Sequence, residues 1–340
     1  MSNPSENTDL ISKGFTRLSR GSFAEVYAKG NVAFKRFTRG TSETQRQEFN
    51  FLVNMHNAFQ TTTSHFRVPT PIAFHMDERN HVTHDPSVNV KEDMDEISAT
   101  SIAMERLHPI PEAVSGAILE MYFPEKKDNG PGIKLCKICL GQEPEPKPTK
   151  PDSKRRKFVI TPSLDNFSLS ANKYATLAEM FPGQLVPLHE VARSMGERLA
   201  QLHFIVKVVP NDVEFVMSRA QSGDPSKVGY YIIDFGLVKP WTLADGFKVL
   251  VDSFFERNLW YPRPVPDEVL YEAFKDGYKD SCPNPGYAAE FLQGIEDRQL
   301  IPTYDSEDEY TESPEEEETG GTAGEEEQEK KNLKNKRLHV

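Results

Sequence analysis

In the segment "GYYIIDFGLVKPW", residues 229–241, an apolar run ends at Asp234. The aromatic and β-branched residues before Asp234 predict a buried strand. Because Asp-X-Gly is a common turn, "DFG" could simply close that strand. The alternative is an aspartate held at a strand end for a metal ion and a phosphate. That alternative requires partner residues elsewhere in the chain.

Hydrophobic content and the distribution of charge limit the classes of protein to which the chain can belong. The chain has 340 residues, 37% of them hydrophobic, and a net charge of -12. Residues 301–340 hold 13 acidic and 5 basic side chains, so the rest is nearly neutral. This distribution gives no clear nucleic-acid surface. It predicts an acidic tail suited to a basic protein partner.

The chain ends and the cysteines indicate the compartment. The first residues, "MSNPSENTDLISKG", do not form a signal peptide, and no apolar run is long enough to span a membrane. Three cysteines argue against a secreted disulfide scaffold. We therefore expect a cytoplasmic or nuclear protein, with "KRRK" at residues 154–157 as either an import signal or a solvated loop.

Changes in composition divide the chain into segments. The stretch "GQEPEPKPTKPDSKRRK" at residues 141–157 has the alternating prolines and charges of an unpacked insertion. The predicted segments are a disordered N-terminus (1–13), an N-terminal lobe (14–107), a C-terminal lobe (108–300) with a low-complexity insertion near 125–157, and a disordered acidic tail (301–340).

The first candidate partner for Asp234 is a lysine. The segment "LSRGSFAEVYAKGNVAFKRF", residues 18–37, predicts three strands joined by short turns, the first at Gly21. Ala33 and Lys35 lie on one face of the third strand, because strand side chains alternate. A small residue there admits a flat ring, and Lys35 would reach toward phosphates; the alternative is a surface lysine.

The second candidate is a glutamate on the following helix. "SETQRQEFNFLVNMHNAF" begins at Ser42 with a predicted Ser42–Gln45 capping box and has apolar residues at helical spacing. Glu48 lies at the edge of that apolar stripe. It is either solvated or turned inward to pair with Lys35.

A short connector follows in "TSIAMERLHPIPEAV", where a strand ends near Met104 and Glu105 and prolines break the chain. Its backbone groups could bond the edge of an adenine, or the segment is a simple strand-to-loop transition. Further on, apolar residues from 188 to 206 predict a long amphipathic helix, and strands at 214–219 and 228–234 form the hairpin that delivers Asp234.

The order of these parts resembles the protein kinase-like fold over residues 14 to 280. The resemblance implies an α+β, two-lobed fold with a small β-rich N-lobe and a mainly helical C-lobe. The segments "NDVEFVM", "SFFERNLWYPRP" and "MYFPEKK" also resemble a fungal kinase-like family of unknown function, sometimes labelled zinc-finger proteins.

The resemblance implies ATP and Mg²⁺ as cofactors and assigns roles to three residues. Lys35 would contact the phosphates and pair with Glu48, while Asp234 would hold the metal. Gly21, Ala33, Met104 and Glu105 would then line the nucleotide.

The chain departs from the kinase pattern in two loops. The glycine-loop positions read Ser19, Gly21 and Ala24, so two of the three glycines are missing. Alignment of "EFVM" places Glu214 where kinases have a metal-binding asparagine, and Val209 where they have the catalytic aspartate. Valine cannot accept a proton. Asp212 is nearby as a displaced base, and Glu214 could still bind a metal ion.

The pair Cys136-X-X-Cys139 could form half of a zinc site. A structural zinc site needs four protein ligands, and no second pair follows in the sequence. Two packed thiols are the interpretation that we favour, and zinc is not expected.

Three functions are compatible with these features. The first is a degenerate kinase-like protein, a pseudokinase, that binds nucleotide weakly or not at all and acts in regulation or scaffolding through an unidentified protein partner. The second is an active, atypical phosphotransferase acting on a protein or small molecule. The third is an interaction module that binds no nucleotide. Fold alone does not separate them.

Overall fold

The computed structural model describes residues 9–60, 63–76, 81–126, 132–141, 167–221, 224–256, 259–265 and 267–300. These residues form a mixed α+β fold, with a β-rich N-terminal lobe and a mainly helical C-terminal lobe. The fold class predicted from the sequence is confirmed. The acidic residues 301–340 and the "KRRK" segment lie outside the described residues.

A six-stranded antiparallel sheet forms the N-terminal lobe, in the order β1-β2-β3-β7-β5-β6. Its strands are Thr16–Arg20 (β1), Ala24–Lys29 (β2), Val32–Phe37 (β3), Pro71–His75 (β5), His81–Thr83 (β6) and Ser101–Glu105 (β7). Gly30 takes φ +58° in the two-residue turn between β2 and β3. A positive φ at the first turn position suits glycine and fixes the register of this hairpin.

The helix that carries Glu48 is α2, Ser42–Phe59. Its N-cap is Thr41, whose side chain accepts a hydrogen bond from the Thr44 backbone while Thr44 accepts one from the Thr41 backbone. The predicted Ser42–Gln45 box is therefore displaced by one residue. The Gln45 side chain instead donates to the Arg39 carbonyl at 3.1 Å.

The N-terminus is ordered further than the sequence predicts. Residues 9–12 form a short helix, α1, and Leu10 is buried against Phe15 and Tyr27. Together with α3, Lys91–Ile97, this helix covers the face of the sheet that points away from Lys35. The prediction of disorder is wrong for residues 9–13, and residues 1–8 are outside the described part.

The C-terminal lobe contains six helices and two small sheets among the described residues. The helices are Glu112–Tyr122 (α4), Ala171–Met180 (α5), Leu188–Gln201 (α6), Lys248–Phe255 (α7), Val269–Ser281 (α8) and Pro285–Gln299 (α9). The π-helical turn Leu202–Val206 extends α6, which agrees with the long helix predicted there. No helix in the described residues is both long and apolar enough to cross a membrane.

A five-stranded sheet in this lobe was not predicted. Its order is β4-β12-β11-β8-β9, with strands Phe66–Arg67 (β4), Cys136–Cys139 (β8), Phe167–Ser170 (β9), Glu214–Arg219 (β11) and Val228–Ile233 (β12). Strands β11 and β12 form the predicted hairpin. Strand β8 is buried, so the predicted insertion near 125–157 contains a core strand. A separate two-stranded pair joins Val208–Val209 (β10) to Lys239–Pro240 (β13).

A buried arginine ties α2 to the C-terminal lobe. The Arg198 guanidinium, on α6, lies 4.0 Å from the Phe59 ring centroid and donates to the Phe66 carbonyl at 2.7 Å. It also donates to the Gln201 side chain at 2.6 Å. Burial lowers the pKa of Arg198 to about 10, which still leaves it charged at neutral pH. These contacts fix the end of the helix that positions Glu48.

Helices α6 and α8 approach each other through two glycines. A Cβ at Gly277 would lie 2.1 Å from the Arg193 carbonyl oxygen, and one at Gly196 would lie 2.0 Å from that of Phe274. We expect Gly277→Ala to lower the free energy of unfolding by about 1–3 kcal/mol, because the helices must separate. Urea unfolding measures this loss.

The matched control is Gly116→Ala, in the interior of α4, where a Cβ meets nothing within 4 Å. This change is expected to raise the free energy of unfolding by roughly 0.5–1 kcal/mol through helix propensity. Equal effects of the two substitutions would contradict the close packing of α6 and α8.

Candidate functional site

Lys35 joins the two lobes at the candidate site. Its Nζ, reaching out from the middle of β3, lies 2.5 Å from Glu48 Oε1 and 3.3 Å from Asp234 Oδ1. The side chains of Lys35 and Glu48 are 15% and 9% exposed, whereas that of Asp234 is 53% exposed. The three residues that the sequence singled out therefore meet, and Asp234 faces solvent.

The ammonium group of Lys35 keeps its charge in this environment. Burial alone would lower its pKa, but the carboxylates of Glu48 and Asp234 outweigh burial and raise it. One cation shared by two carboxylates leaves the three groups with a net negative charge. The half-exposed Asp234 can accept a further cation from solvent.

The backbone bends sharply at Asp234. Its φ is +65°, in the left-handed region, which aspartate adopts more readily than most residues with a Cβ. The bend follows directly on β12, and Phe235 is buried in the core just beyond it. The bend leaves the Asp234 side chain half exposed at the end of the strand while Phe235 turns into the core.

The loop between β10 and β11 differs from the sequence alignment. Val209 is not in the loop: it is buried in β10 and pairs with Lys239 of β13. The loop has only four residues, 210–213, and its polar side chains are Asn211 and Asp212. Sequence counting from Glu214 assumed a longer loop and missed Asn211.

The two polar residues of this loop are held differently. Asn211 accepts a hydrogen bond from the Ser253 hydroxyl of α7 at 2.8 Å, which fixes its amide. Asp212 takes a left-handed backbone with φ +58° and is partly exposed. Its charge contributes to raising the pKa of Glu214, so the two carboxylates are near each other.

Glu214 begins β11, opposite Ile233 and therefore next to Asp234. Burial raises the pKa of its carboxyl group; the charges of Asp234 and Asp212 add to this, while Lys137 of β8 opposes it. The Lys137 ammonium donates a hydrogen bond to Glu214 Oε1. No local sequence pattern indicates Lys137, because its partner lies 77 residues away in the chain.

The residues fit one magnesium ion better than two. Asp234 is half exposed, and Mg²⁺ commonly binds one or two carboxylates together with water and substrate phosphates. Glu214, the other predicted metal ligand, is already bonded to an ammonium group. Among the described residues, no three His, Cys, Asp or Glu side chains are placed to hold a metal ion by themselves.

At the end of β7, the hydrogen-bonding groups of Glu105 are bonded to other residues of the protein. The buried Glu105 carboxylate accepts hydrogen bonds from Arg67, Thr70 and Tyr231, and the Glu105 N–H donates to the Thr70 carbonyl at 2.9 Å. This N–H is therefore not available to an adenine. That Met104 and Glu105 line a nucleotide stays a prediction.

Gly21 and Ala33 occupy the places predicted for them. The Gly21 N–H donates to the Ala24 carbonyl at 2.8 Å and closes the turn between β1 and β2. A Cβ at Gly21 would contact that carbonyl at an ordinary 3.5 Å, so the local fold does not require glycine. Ala33 is buried in β3 opposite Met104. Their contact with a nucleotide stays a prediction.

The two cysteines of β8 are buried free thiols. Burial raises the pKa of Cys136, and it raises the pKa of Cys139 to about 11. Neither thiol therefore ionises readily at neutral pH. Their environment is that of packed core side chains.

A surface cleft of about 470 Å³ lies away from this site. It is lined by His65, Arg67, Val186, Ala220, Gln221, Val228, Gly229 and Tyr230. Neither Lys35 nor Asp234 contributes to it. The charged groups of the candidate site therefore lie outside this cleft.

No family model and no curated protein matches the chain. Weakly similar solved structures include one described as the GDP and kanamycin complex of APH(2")-IIia, at 10% identity and a TM-score of 0.27, covering 86% of this chain and 88% of that chain. Another is the GDP complex of wild-type aminoglycoside 2'-phosphotransferase-IIIa, at 10% identity and a TM-score of 0.25, covering 88% and 99%. Scores this low carry no argument about the function of this protein.

The elements of the chain itself define its class. A small β-rich lobe supplies Lys35 and Glu48, a mainly helical lobe supplies Asp234, and the three side chains meet between the lobes. The protein has a two-lobed α+β fold, with a β-rich N-terminal lobe and a mainly helical C-terminal lobe.

Proposed function

We propose that the protein binds a nucleoside triphosphate between its lobes, transfers the phosphate weakly or not at all, and acts in regulation or scaffolding. The observation that carries this proposal is the position of Lys35 Nζ, between Glu48 of one lobe and Asp234 of the other. In the protein alone, the lysine is held by carboxylates. In a complex it is placed to contact phosphate oxygens as well.

Charge explains why this arrangement suits a nucleotide. A bound triphosphate carries about four negative charges, which a lysine and a divalent ion together can offset. Lys35 supplies one cation. Asp234 would hold a magnesium ion, which when bound would offset most of the remaining charge.

The short loop before β11 accounts for weak transfer. A general base must lie within hydrogen-bond reach of the acceptor hydroxyl. Val209 is buried in β10, and the Asn211 amide, bonded to Ser253, cannot accept a proton. Of the loop residues, only Asp212 has a side chain that can act as a base.

Ligand-induced stabilisation tests the binding part of the proposal. We expect Mg²⁺ with ATP or GTP to raise the free energy of unfolding, by about 2.7 kcal/mol at 100 times the dissociation constant. Urea unfolding of the full chain with and without nucleotide measures this. Equal unfolding curves at millimolar concentrations of both nucleotides would contradict the proposal.

One observation favours the second candidate, an active atypical phosphotransferase. Asp212 is a partly exposed carboxylate in the loop before β11, near Glu214 and therefore near the Asp234 end of the hairpin. A displaced base at this position would restore proton transfer. Loss of activity on Asp212→Asn would then mark the protein as an enzyme.

The regulatory part of the proposal concerns a protein partner. Residues 301–340, which lie outside the described residues, hold 13 acidic and 5 basic side chains. A tail of this charge suits a basic partner in the cytoplasm or nucleus. Loss of partner binding on deletion of 303–340 would support this role.

A further inference from the structure

Strand β8 brings a second lysine to the site. Lys137 lies opposite Val216 in the antiparallel pair of β8 and β11, and Glu214 is two residues before Val216. Because strand side chains alternate, Glu214 and Val216 share one face, and Lys137 is the diagonal neighbour of Glu214. The ion pair is thus set by the register of the sheet.

The strand that carries Lys137 is held by backbone hydrogen bonds directly after its C-terminal end. The N–H groups of Leu140 and Gly141 each donate at 3.0 Å to carbonyls of residues 260 and 259. A Cβ at Gly141 would lie 2.3 Å from the Tyr261 carbonyl oxygen, so the chains touch there. The Lys137 Nζ also lies 5.8 Å from the centroid of the Trp260 ring. Lys137 therefore projects from a rigid strand and not from a loop.

Two carboxylates lie side by side at the end of the hairpin, and each has its own lysine. Lys35 contacts Asp234, and Lys137 contacts Glu214. The side chains of Lys137 and Glu214 are only 18% and 19% exposed, so water does little to offset the Glu214 charge. A cation is needed at Glu214, and this chain supplies an ammonium group.

We propose that the Lys137 ammonium takes the place at Glu214 of a second divalent cation, so that Lys35, Lys137 and one metal ion at Asp234 together neutralise a bound nucleotide. The inference rests on the proposed nucleotide binding. A metal ion at Glu214 would need its oxygens at about 2.0–2.1 Å for Mg²⁺ and would have to displace the ammonium.

Counting metal ions tests this inference. The full-length protein is mixed with one equivalent of ATP and titrated with Mn²⁺, and the free Mn²⁺ is followed by electron paramagnetic resonance. Wild type is expected to bind one Mn²⁺ per protein. Lys137→Met, which keeps an apolar stem beside Trp260 but removes the charge, is expected to bind two.

The affinity for ATP in the absence of metal provides a second readout. It is expected to fall by at least about tenfold in Lys137→Met and to return at millimolar Mn²⁺. The double variant Lys137→Met/Glu214→Gln, which removes both charges, should bind one Mn²⁺ again. Glu214→Gln alone should also bind one Mn²⁺ ion. Circular dichroism checks that each variant is folded.

The contradicting results separate the two proposals. Equal Mn²⁺ counts in wild type and Lys137→Met, two Mn²⁺ ions in wild type, or a loss of ATP binding that Mn²⁺ does not restore would each overturn the role of Lys137 while nucleotide binding by wild type stands. If wild type binds no ATP at all, the proposed function fails, and this inference fails with it.

Discussion

Lys35→Met is expected to remove most of the stabilisation that Mg²⁺-nucleotide gives to the wild-type protein. The lysine offers a charged donor to the phosphates, and its loss leaves the Glu48 and Asp234 carboxylates facing a polyanion. We expect nucleotide affinity to fall roughly 100-fold, about 2.7 kcal/mol. Isothermal titration and urea unfolding with and without nucleotide measure the change.

The substitution also affects the free protein, because it leaves the buried Glu48 without its partner. The quantity to compare is therefore the stabilisation by ligand within each variant. Lys29→Met is the matched control: Lys29 lies in the same sheet but pairs with Asp93 and Glu96 of α3. It should keep the wild-type ligand response. An unchanged response in Lys35→Met would remove Lys35 from the site.

Slow phosphoryl transfer is the second large effect that we expect. Ordinary kinases turn over at about 1–100 per second. A positioned general base typically contributes roughly 100- to 10,000-fold. Because Val209 is buried in β10 and Asn211 is bonded to Ser253, we expect transfer to be slower than in ordinary kinases by about that factor. Asp212→Asn should remove any residual activity that depends on a displaced base.

Local sequence patterns predicted the parts of the site that depend on short-range structure. Alternation in β3 placed Lys35 on the face toward α2, and helical spacing placed Glu48 at the edge of the buried stripe of α2. The β11–β12 hairpin followed from two apolar runs and a polar turn. These features depend on residues only a few positions apart, which is where sequence periodicity is informative.

Long-range pairing determined what the sequence did not predict. Lys137 reaches Glu214 only because β8 adds to the edge of β11, and the four residues of β8, CKIC, carry no local pattern that indicates this partner. Val209 was assigned to the loop because counting back from Glu214 assumes a fixed loop length. In the structure Val209 pairs with Lys239, so it belongs to β10 and the loop begins after it. The α1 helix is too short to show a periodicity, and its burial depends on the sheet beneath it.

A single-turnover experiment distinguishes nucleotide binding without efficient transfer from kinase activity. Excess protein is mixed with γ-labelled ATP, Mg²⁺ and broad protein and small-molecule acceptors, and bound and transferred label are measured in the same quenched samples. Asp234→Asn serves as the metal-site control. We expect the label to bind wild type and to stay in ATP, with any faint transfer equal in both proteins. Transfer at the rate of an ordinary kinase that disappears in Asp234→Asn, or no bound label in wild type, would contradict it.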